Sequence, residues 1–448
     1  MQPLMPELEA REVVKGATTG ARFVRVQRRS STLLRTGEST LEATREADVA
    51  RSMPGRWFQL LRKIVIGAPL ATAALAHQRL SKVKALAVFS SDALSSSAYA
   101  TEEILLILIL AGTRSLGYSI PIAAAIAGMM VIVTVSYRQT VRAYPNGGGA
   151  YIVGRDNLGE GAGMVAASAL LVDYVLTVAV STAAGVAAIT SAFPELDTYA
   201  VEIAVLSVAL ITIVNLRGVR ESATVFALPT YFFIGSFAVM LIVGFVRVAA
   251  GLGPLEQTEV EAEAATQSLT LFLILRAFSS GSAALTGIEA ISNGVPAFKP
   301  PESRNAATTL AIMAAILATL FVGLTVLANE FDIVPSEDKT VVAQIAHAAF
   351  GSSVFFYAIQ ASTALILLLA ANTAFADFPR LSSILARDGY MPRQFTFRGD
   401  RLAFTNGIVA LGLLASGLLI LFAADTHSLI PLYAVGVFVS FTISQSGM

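Results

Sequence analysis

The sequence contains no cysteine and only three histidines among its 448 residues. Without cysteine the chain forms neither disulfides nor thiolate metal sites, and so few histidines argue against a histidine-based metal site. Charged residues are also scarce, at 14% of the chain, whereas an ordinary soluble domain has roughly 25%. These shortages exclude a disulfide scaffold and argue against a soluble globular protein.

Apolar residues make up 55% of the chain, and the mean hydropathy is +0.69. A helix of about 18 or more apolar residues can cross the roughly 30 Å hydrocarbon core of a bilayer. The sequence therefore predicts an all-α integral membrane protein with about ten transmembrane helices in one bundle. The expected spans are residues 84–112, 119–141, 162–193, 198–215, 223–247, 270–297, 306–329, 350–375, 404–423 and 428–446.

Two kinds of segment precede these spans. Residues 1–55 are polar and rich in Arg and Glu, a composition that favours disorder. Residues 56–80 hold an apolar stretch that is too short to span and is flanked by Trp57 and basic residues, which is typical of a helix lying in the membrane interface. We therefore expect a disordered extension followed by an amphipathic interfacial segment.

Basic residues concentrate in alternate loops. Arg138, Arg142 and Arg155 fall between spans two and three, and further arginines fall between spans eight and nine, whereas the opposite loops are acidic. Cytoplasmic loops carry the excess of Lys and Arg in membrane proteins. The N-terminus is therefore predicted to be cytoplasmic, in a multi-pass protein of the cell (inner) membrane.

Ten helices divide into two sets of five with opposite orientation, residues 84–247 and 270–446, as in an inverted-topology repeat. Helices 1 and 6 are then counterparts, and the motif FSS opens the polar part of each, at residues 89–91 and 278–280. Serines in helix 1 and glycines in helix 6 weaken both helices. Both are predicted to be discontinuous, with a binding site beside the breaks.

Three carboxylates fall at membrane depth: Asp92 in helix 1, Asp173 in helix 3 and Glu289 in helix 6. An ionised carboxylate at the bilayer centre costs about 2.5 to 3.5 kcal/mol, so the three together cost about 8 to 10 kcal/mol unless something compensates. A bound cation, a proton or a water-filled cavity would compensate. A purely structural role, such as capping a broken helix, is the alternative for each.

Hydroxyl groups accompany these carboxylates. Thr177 and Ser181 follow Asp173 at i+4 and i+8 on one face of helix 3, with Tyr174 beside them. Such oxygen ligands suit an alkali ion. Ser and Thr in membranes also often bond only to the backbone, and tyrosines often only pack, so both interpretations stay open. Further hydroxyls at similar depth, in helices 1, 6 and 10, belong to Tyr99, Thr286 and Tyr433.

Some polar residues are assigned mainly to structural roles. Glu102 and Glu103 fit a structural role and an entrance lining equally well, and Arg276 of helix 6 is a candidate partner for one of them. The stretch PNGGGAY from Pro145 lacks the Lys and the Ser or Thr of a phosphate loop, so ATP-driven transport is not expected.

The break in helix 1 bears on the choice of solute. Amino acid carriers of this architecture usually break helix 1 at glycines, whose N–H groups hold a substrate carboxylate. Here helix 1 has no glycine between Lys84 and Ala111, and it carries Asp92 at the break. A carboxylate at that point attracts a cation and repels an anionic group, so the sequence favours a cation.

The chain resembles the KUP family of potassium importers, within the amino acid-polyamine-organocation superfamily. The resemblance runs from about residue 78 to the end. It implies a LeuT-type fold and proton-coupled potassium uptake by alternating access, with no enzymatic activity, no cofactor and no nucleic-acid partner. Four segments carry it: LSKVKALAVFSSDALSSSAYATEEIL, YPNGGGAYIVGRDNLG, LLVDYVLTVAVSTAAGVAAITSAFP and LTGIEAISNGVPAFKPPESRNA.

The resemblance also implies residue roles. It implies that potassium is bound by Asp92, Tyr99, Asp173, Tyr174, Thr177, Ser181, Thr286, Glu289 and Tyr433. We expect Glu289 or Asp173 to carry the proton. Family members continue with two more helices and a cytoplasmic C-terminal domain for regulation and dimerisation, and we expect these parts to be absent from this chain. A homodimer is expected only where that domain exists. A proton-coupled amino acid or polyamine permease and a transport-dead truncated form stay open as alternatives.

Overall fold

The structure is a computed structural model in which the chain divides into two units, Met1–Ala68 and Pro69–Met448. The expected interfacial segment, residues 56–80, falls almost wholly outside the residues that the structure describes. The described residues are four strands between residues 8 and 43, and then residues 79–145, 147, 149–217, 223–256, 265–336, 339–399 and 403–448.

Four short strands form two antiparallel pairs in the first unit. β1 (Leu8–Lys15) pairs with β2 (Arg22–Arg28), and β3 (Leu33–Arg35) pairs with β4 (Leu41–Ala43). The expectation of disorder over residues 1–55 is wrong at these strands. The valines of β1 and β2 are β-branched residues that favour an extended chain, and the polar composition of the segment concealed this local preference.

The first half of the bundle contains five spans, and the first span is divided into three short helices. These are α1 (Lys82–Phe89), α2 (Ser91–Ser95) and α3 (Ala100–Leu108). The remaining helices of this half are α4 (Ser119–Ala143), the short loop helix α5 (Ala150–Leu158), α6 (Glu160–Ala192), α7 (Ala200–Leu216) and α8 (Ala223–Ala249).

The second half begins with a divided span, α9 (Leu271–Gly281) and α10 (Ala290–Asn293). The helices that follow are α11 (Glu302–Glu330), the loop helix α12 (Val341–Phe350), α13 (Val354–Arg387), α14 (Thr405–Leu421) and α15 (Thr426–Ser446).

Every expected span has a helical counterpart. Nine candidate spans in the described part of the chain are long and apolar enough to cross a membrane. The remaining one, α14, has 17 residues, which is at the lower limit for crossing a bilayer. α13 extends beyond the expected boundary at residue 375, so Arg380 and Arg387, expected in a loop, are helical.

The first span is interrupted where its serines cluster. Ser90 separates α1 from α2, and a 3₁₀ turn, Ser96–Ala98, follows α2. The hydroxyls of Ser95 and Ser97 donate to backbone carbonyls three residues earlier, each at 2.7 Å. Local bonds of this kind compete with the regular helical ladder. The prediction that helix 1 is discontinuous is therefore confirmed.

The sixth span is interrupted between α9 and α10. A 3₁₀ turn, Ser282–Leu285, leads to Thr286 in an extended conformation, and Gly287 follows at φ +77°. That φ lies in the left-handed region, which favours glycine because other residues carry a Cβ atom. Helix 6 is thus also discontinuous, as predicted.

The two halves pack as counterparts. α3 of the first span packs on α9 of the sixth, α4 on α11, α6 on α13 and α7 on α14. α6 also packs on α15, and α13 packs on α8 in the equivalent relation. This pairing agrees with the expected arrangement of five plus five helices, and it places α6 and α13 at the centre of the bundle.

Candidate ion-binding site

The predicted carboxylates lie inside the bundle, beside the helix breaks. Asp92 is in the first turn of α2 and is half-buried. Asp173, in the middle of α6, is 3% exposed, and Glu289, directly before α10, is 8% exposed. Carboxylates are rarely buried to this degree without a partner.

The three carboxylates share one region. Asp173 interacts electrostatically with both Glu289 and Asp92. Asp173 Oδ1 and Glu289 Oε2 are buried and have no hydrogen-bond partner among the described residues. A buried carboxylate oxygen without a partner costs free energy, which a bound proton or cation would offset. The site therefore has the negative charge and the unused acceptors that a cation needs.

Hydroxyl groups complete the site. Thr177 Oγ1 of α6 donates to the Tyr433 hydroxyl of α15 at 3.4 Å. Tyr99 of the first span is 4% exposed, and Thr286 Oγ1 of the sixth span donates to the Ala283 carbonyl at 2.8 Å. Ser181 is 2% exposed on the same face of α6 as Thr177, but it makes no hydrogen bond to the other predicted ligands in the part that the structure describes. Among these five hydroxyls, the structure thus joins Thr177 and Tyr433 by a direct contact.

Sequence reasoning missed Asp377. This residue is half-buried on α13 and interacts electrostatically with Asp92, Tyr174 and Glu289. The apolar pattern predicts that the eighth span ends at residue 375, two residues before this carboxylate. The helical pattern that continues to Arg387 was the signal that would have placed Asp377 within the span.

A cavity of about 90 Å³ lies beside the site. Tyr174 and Asp377 line it, and Arg380 lies along the same wall. Its lining also includes Gly147 and Gly149 of the glycine-rich stretch, together with Asn293 at the end of α10. The PNGGGAY stretch therefore forms part of the wall of this cavity.

The donor set differs from that of a transition-metal centre. Within the described ranges, no group of three or more His, Asp or Glu residues is arranged to hold a metal ion. Carboxylates here alternate with hydroxyls contributed by several helices. Hard oxygen ligands of this kind suit an alkali cation and a proton.

The prediction that Arg276 pairs with Glu102 or Glu103 was wrong. Both carboxylates are buried, and His427 of α15 pairs with them. Arg276 forms no ion pair with either of them in the described structure. His427 is more than 300 residues away in sequence, so no local pattern linked it to helix 1.

The chain belongs to the amino acid permease family, because the model of that family matches residues 80–448. It is 53% identical over 393 residues to the potassium transporter KimA of Bacillus subtilis (strain 168). That match covers 87% of this chain and 64% of the relative, so the chain spans less than two thirds of the relative's length.

A solved structure of a manganese transporter from Eremococcus coleocola, in complex with an aromatic bis-isothiourea substituted compound, aligns over 80% of this chain and 76% of that one. Its TM-score is 0.40 and its sequence identity is 13%, too low to carry an argument. Family membership and the two discontinuous spans together establish the LeuT-type arrangement of helices. The expected fold and the resemblance to potassium importers are confirmed.

Proposed function

We propose that this chain takes up potassium together with protons by alternating access across the cell (inner) membrane. The similarity to a protein named as a potassium transporter supports the choice of ion. The observation that carries the proposal is the pair of buried carboxylate oxygens, Asp173 Oδ1 and Glu289 Oε2, that have no partner among the described residues. A site that binds a cation and a proton together gives both oxygens a partner.

Each residue type has a distinct part in this proposal. Carboxylate and hydroxyl oxygens replace the hydration shell of potassium. A proton on Glu289 or Asp173 neutralises the carboxylate that the potassium ion does not contact, and its release permits the return step. The proposed oxygen ligands are Asp92, Tyr99, Asp173, Tyr174, Thr177, Ser181, Thr286, Glu289 and Tyr433.

The orientation of the chain in the membrane follows from the charge of the two ends. The positive-inside rule puts the arginine-rich end, with Arg155 and Arg380, in the cytoplasm. The cavity beside Asp377 then leads to the cytoplasm, and Glu102 and Glu103 lie toward the outside. In the proposed cycle the first and sixth spans move against a scaffold that contains α6 and α13.

The membrane potential supplies the driving force. Moving two positive charges inward gains about 4.6 kcal/mol per 100 mV of membrane potential. That energy corresponds to about three decades of concentration ratio. Coupling a proton to each potassium ion therefore suits uptake from a dilute medium.

An amino acid or polyamine permease is the competing candidate, since family membership does not fix the substrate. Asp92 stands at the break where a carboxylate-binding carrier uses backbone N–H groups, and Asp173 and Glu289 add negative charge nearby. These three carboxylates would repel the carboxylate of an amino acid. They would attract a polyamine, so the experiment must compare all three solutes.

Competition for labelled rubidium uptake separates the candidates. Cells that lack their own potassium importers would express the chain and take up rubidium, a potassium analogue, with excess potassium, an amino acid mixture or spermidine present. We expect potassium alone to suppress uptake. Suppression by amino acids or spermidine, or no rubidium uptake above that of empty cells, would overturn the potassium proposal.

A further inference from the structure

Two adjacent acidic residues, Glu102 and Glu103, lie in the first turn of α3, which follows Tyr99. Glu102 and Glu103 are each 3% exposed. His427, in the first turn of α15, places Nδ1 2.7 Å from Glu103 Oε1 and Nε2 3.7 Å from Glu102 Oε1. A single imidazole thus contacts both buried carboxylates and connects α3 to α15.

The same carboxylates reach two further elements. Glu102 Oε2 accepts a hydrogen bond from the Val341 N–H at the start of α12, at 3.3 Å. Glu103 Oε2 accepts one from the Ser280 hydroxyl of α9, at 2.9 Å. The cluster therefore joins both discontinuous spans to a loop helix and to α15, which are elements that must separate if a path opens between them.

His427 covers the carboxylates from outside. Its side chain is 40% exposed, whereas those of Glu102 and Glu103 are 3% and 4% exposed. Beneath it lies a small cavity whose lining includes Tyr99, Glu102, Thr363 and His427. The imidazole therefore separates the surface of the bundle from a cavity that reaches a proposed potassium ligand.

Two other charged residues, Asp425 and Arg276, lie near the imidazole but do not pair with Glu102 or Glu103 in the described structure. Asp425 accepts hydrogen bonds from the backbone N–H groups of His427 and Ser428 and caps α15. Arg276 lines a groove with Glu103 and His427, but it forms no ion pair with either acid in the described structure. Acidic groups thus outnumber basic ones around His427, and a cation approaching from outside meets a net negative field.

We propose that Glu102, Glu103 and His427 form the outer gate of the transport path. A monovalent cation enters by taking the place of the imidazole, so the two carboxylates are the first oxygen ligands that it meets. His427 acts as a positioning residue, since its contacts hold α3 and α15 together while the path is closed. That the cation enters from the outside rests on the proposed function. That His427 closes the path to the cavity does not rest on it.

The absence of cysteine makes the barrier measurable. A single Thr363→Cys reporter would line the cavity beneath His427, and the membrane-impermeant cation methanethiosulfonate ethyltrimethylammonium would be added from outside. We expect His427→Ala to raise the rate of modification at least tenfold. His427→Asn keeps a hydrogen-bond donor near the position of Nδ1, and it should restore most of the slow rate. Thr198→Cys, on an exposed turn outside the path, is the matched reporter and should react equally in all backgrounds.

Equal modification of Thr363→Cys with histidine or alanine at position 427 would overturn the gate. So would a rise that Thr198→Cys shares, because it would indicate general loosening of the fold. The reagent measures access to the cavity in the absence of potassium. The gate proposal can therefore be refuted independently of the proposal that potassium is the substrate. If only potassium suppresses rubidium uptake, and the modification rate of Thr363→Cys does not change in His427→Ala, the gate proposal is refuted and the potassium proposal is supported.

Discussion

A Cβ atom on Gly287 would lie 2.6 Å from the backbone nitrogen of Ala93. Real Cβ atoms do not approach backbone atoms so closely, and Gly287 also adopts φ +77°, which other residues rarely occupy. The breaks of the first and sixth spans therefore touch backbone to backbone. The two spans must move together, or this contact must separate during the transport cycle.

Gly287→Ala should lower rubidium uptake by at least tenfold. The added methyl group forces the two breaks apart, and overpacking of this kind costs about 1 to 3 kcal/mol. Gly235→Ala in α8 is the matched control, because its Cβ meets nothing within 4 Å, and its uptake should stay within about twofold of the parent since surface changes alter stability little. Parental uptake by Gly287→Ala, at equal amounts in the membrane, would show that the contact has no part in transport.

Thr177 and Tyr433 should act through a shared cation. Their hydroxyls are 3.4 Å apart, which is long for an O–H···O hydrogen bond, so their direct contact contributes little to stability. Thr177→Val and Tyr433→Phe should each raise the KM for rubidium by up to about tenfold, because one ligand interaction is worth about 0.5 to 1.5 kcal/mol. The thermal unfolding temperature should change little.

The control for these hydroxyl changes is Thr309→Val. The Thr309 hydroxyl is buried in α11 and donates only to the Asn305 carbonyl of its own helix, at 2.9 Å. Its removal should leave the KM unchanged. An equal rise in KM for Thr309→Val and Thr177→Val would mean that the effect of Thr177 is structural.

Neutralising one carboxylate should separate potassium binding from proton coupling. If Glu289 carries the proton, Glu289→Gln should make rubidium uptake independent of an imposed pH gradient, while rubidium exchange across the membrane continues. If Asp173 carries it, Asp173→Asn should show this behaviour instead. If rubidium uptake by Glu289→Gln and by Asp173→Asn still depends on the pH gradient, neither residue is the proton carrier.

Glu256 connects the loop after α8 to the loop helix α12. The Ser352 N–H and hydroxyl donate to its Oε1 and Oε2 at 3.0 and 2.8 Å, and His347 Nδ1 lies 3.1 Å from Oε2. Hydrogen bonds from Ser352 hold the pKa of the Glu256 carboxyl below its ordinary value of 4.5. Partial burial, with the nearby Lys339, holds the pKa of His347 below its ordinary value of 6.5.

Acidification should therefore loosen α12. Both groups bind protons less readily in the folded state, so their stabilisation is complete above the ordinary pKa values and is lost as pH falls through the folded ones. Amide protection in α12, corrected for intrinsic exchange, should be constant above pH 6.5 and decrease below it. Glu256→Gln should lower protection at neutral pH. Protection that is independent of pH down to 4.5 in the parent would contradict this account.

Local patterns were sufficient to predict the spans and to find the buried carboxylates of the candidate site. Apolar runs gave the helices, and the serines between Phe89 and Tyr99 gave the first break, because their hydroxyls bond to nearby carbonyls in the structure. The i, i+4 spacing placed Asp173 and Thr177 on one buried face. Each of these signals depends only on residues within a few turns of one another.

Contacts between distant segments could not be predicted in this way. His427 pairs with Glu103 across 324 residues, whereas Arg276 was a plausible partner by charge alone. Asp377 was missed because the apolar pattern weakens before the helix ends. The helical pattern itself continues to Arg387, but the place of Asp377 beside Tyr174 of α6 comes from packing between distant segments, which no local pattern records.

Potassium-driven proton movement in liposomes tests the central claim most directly. The parent chain and Asp92→Asn would be reconstituted with an internal pH dye, with Asp197→Asn on an exposed turn as the matched control. External potassium should acidify the lumen with the parent and with Asp197→Asn, and it should cause no acidification with Asp92→Asn. Acidification by Asp92→Asn at the parental rate, or none by the parent itself, would contradict the account.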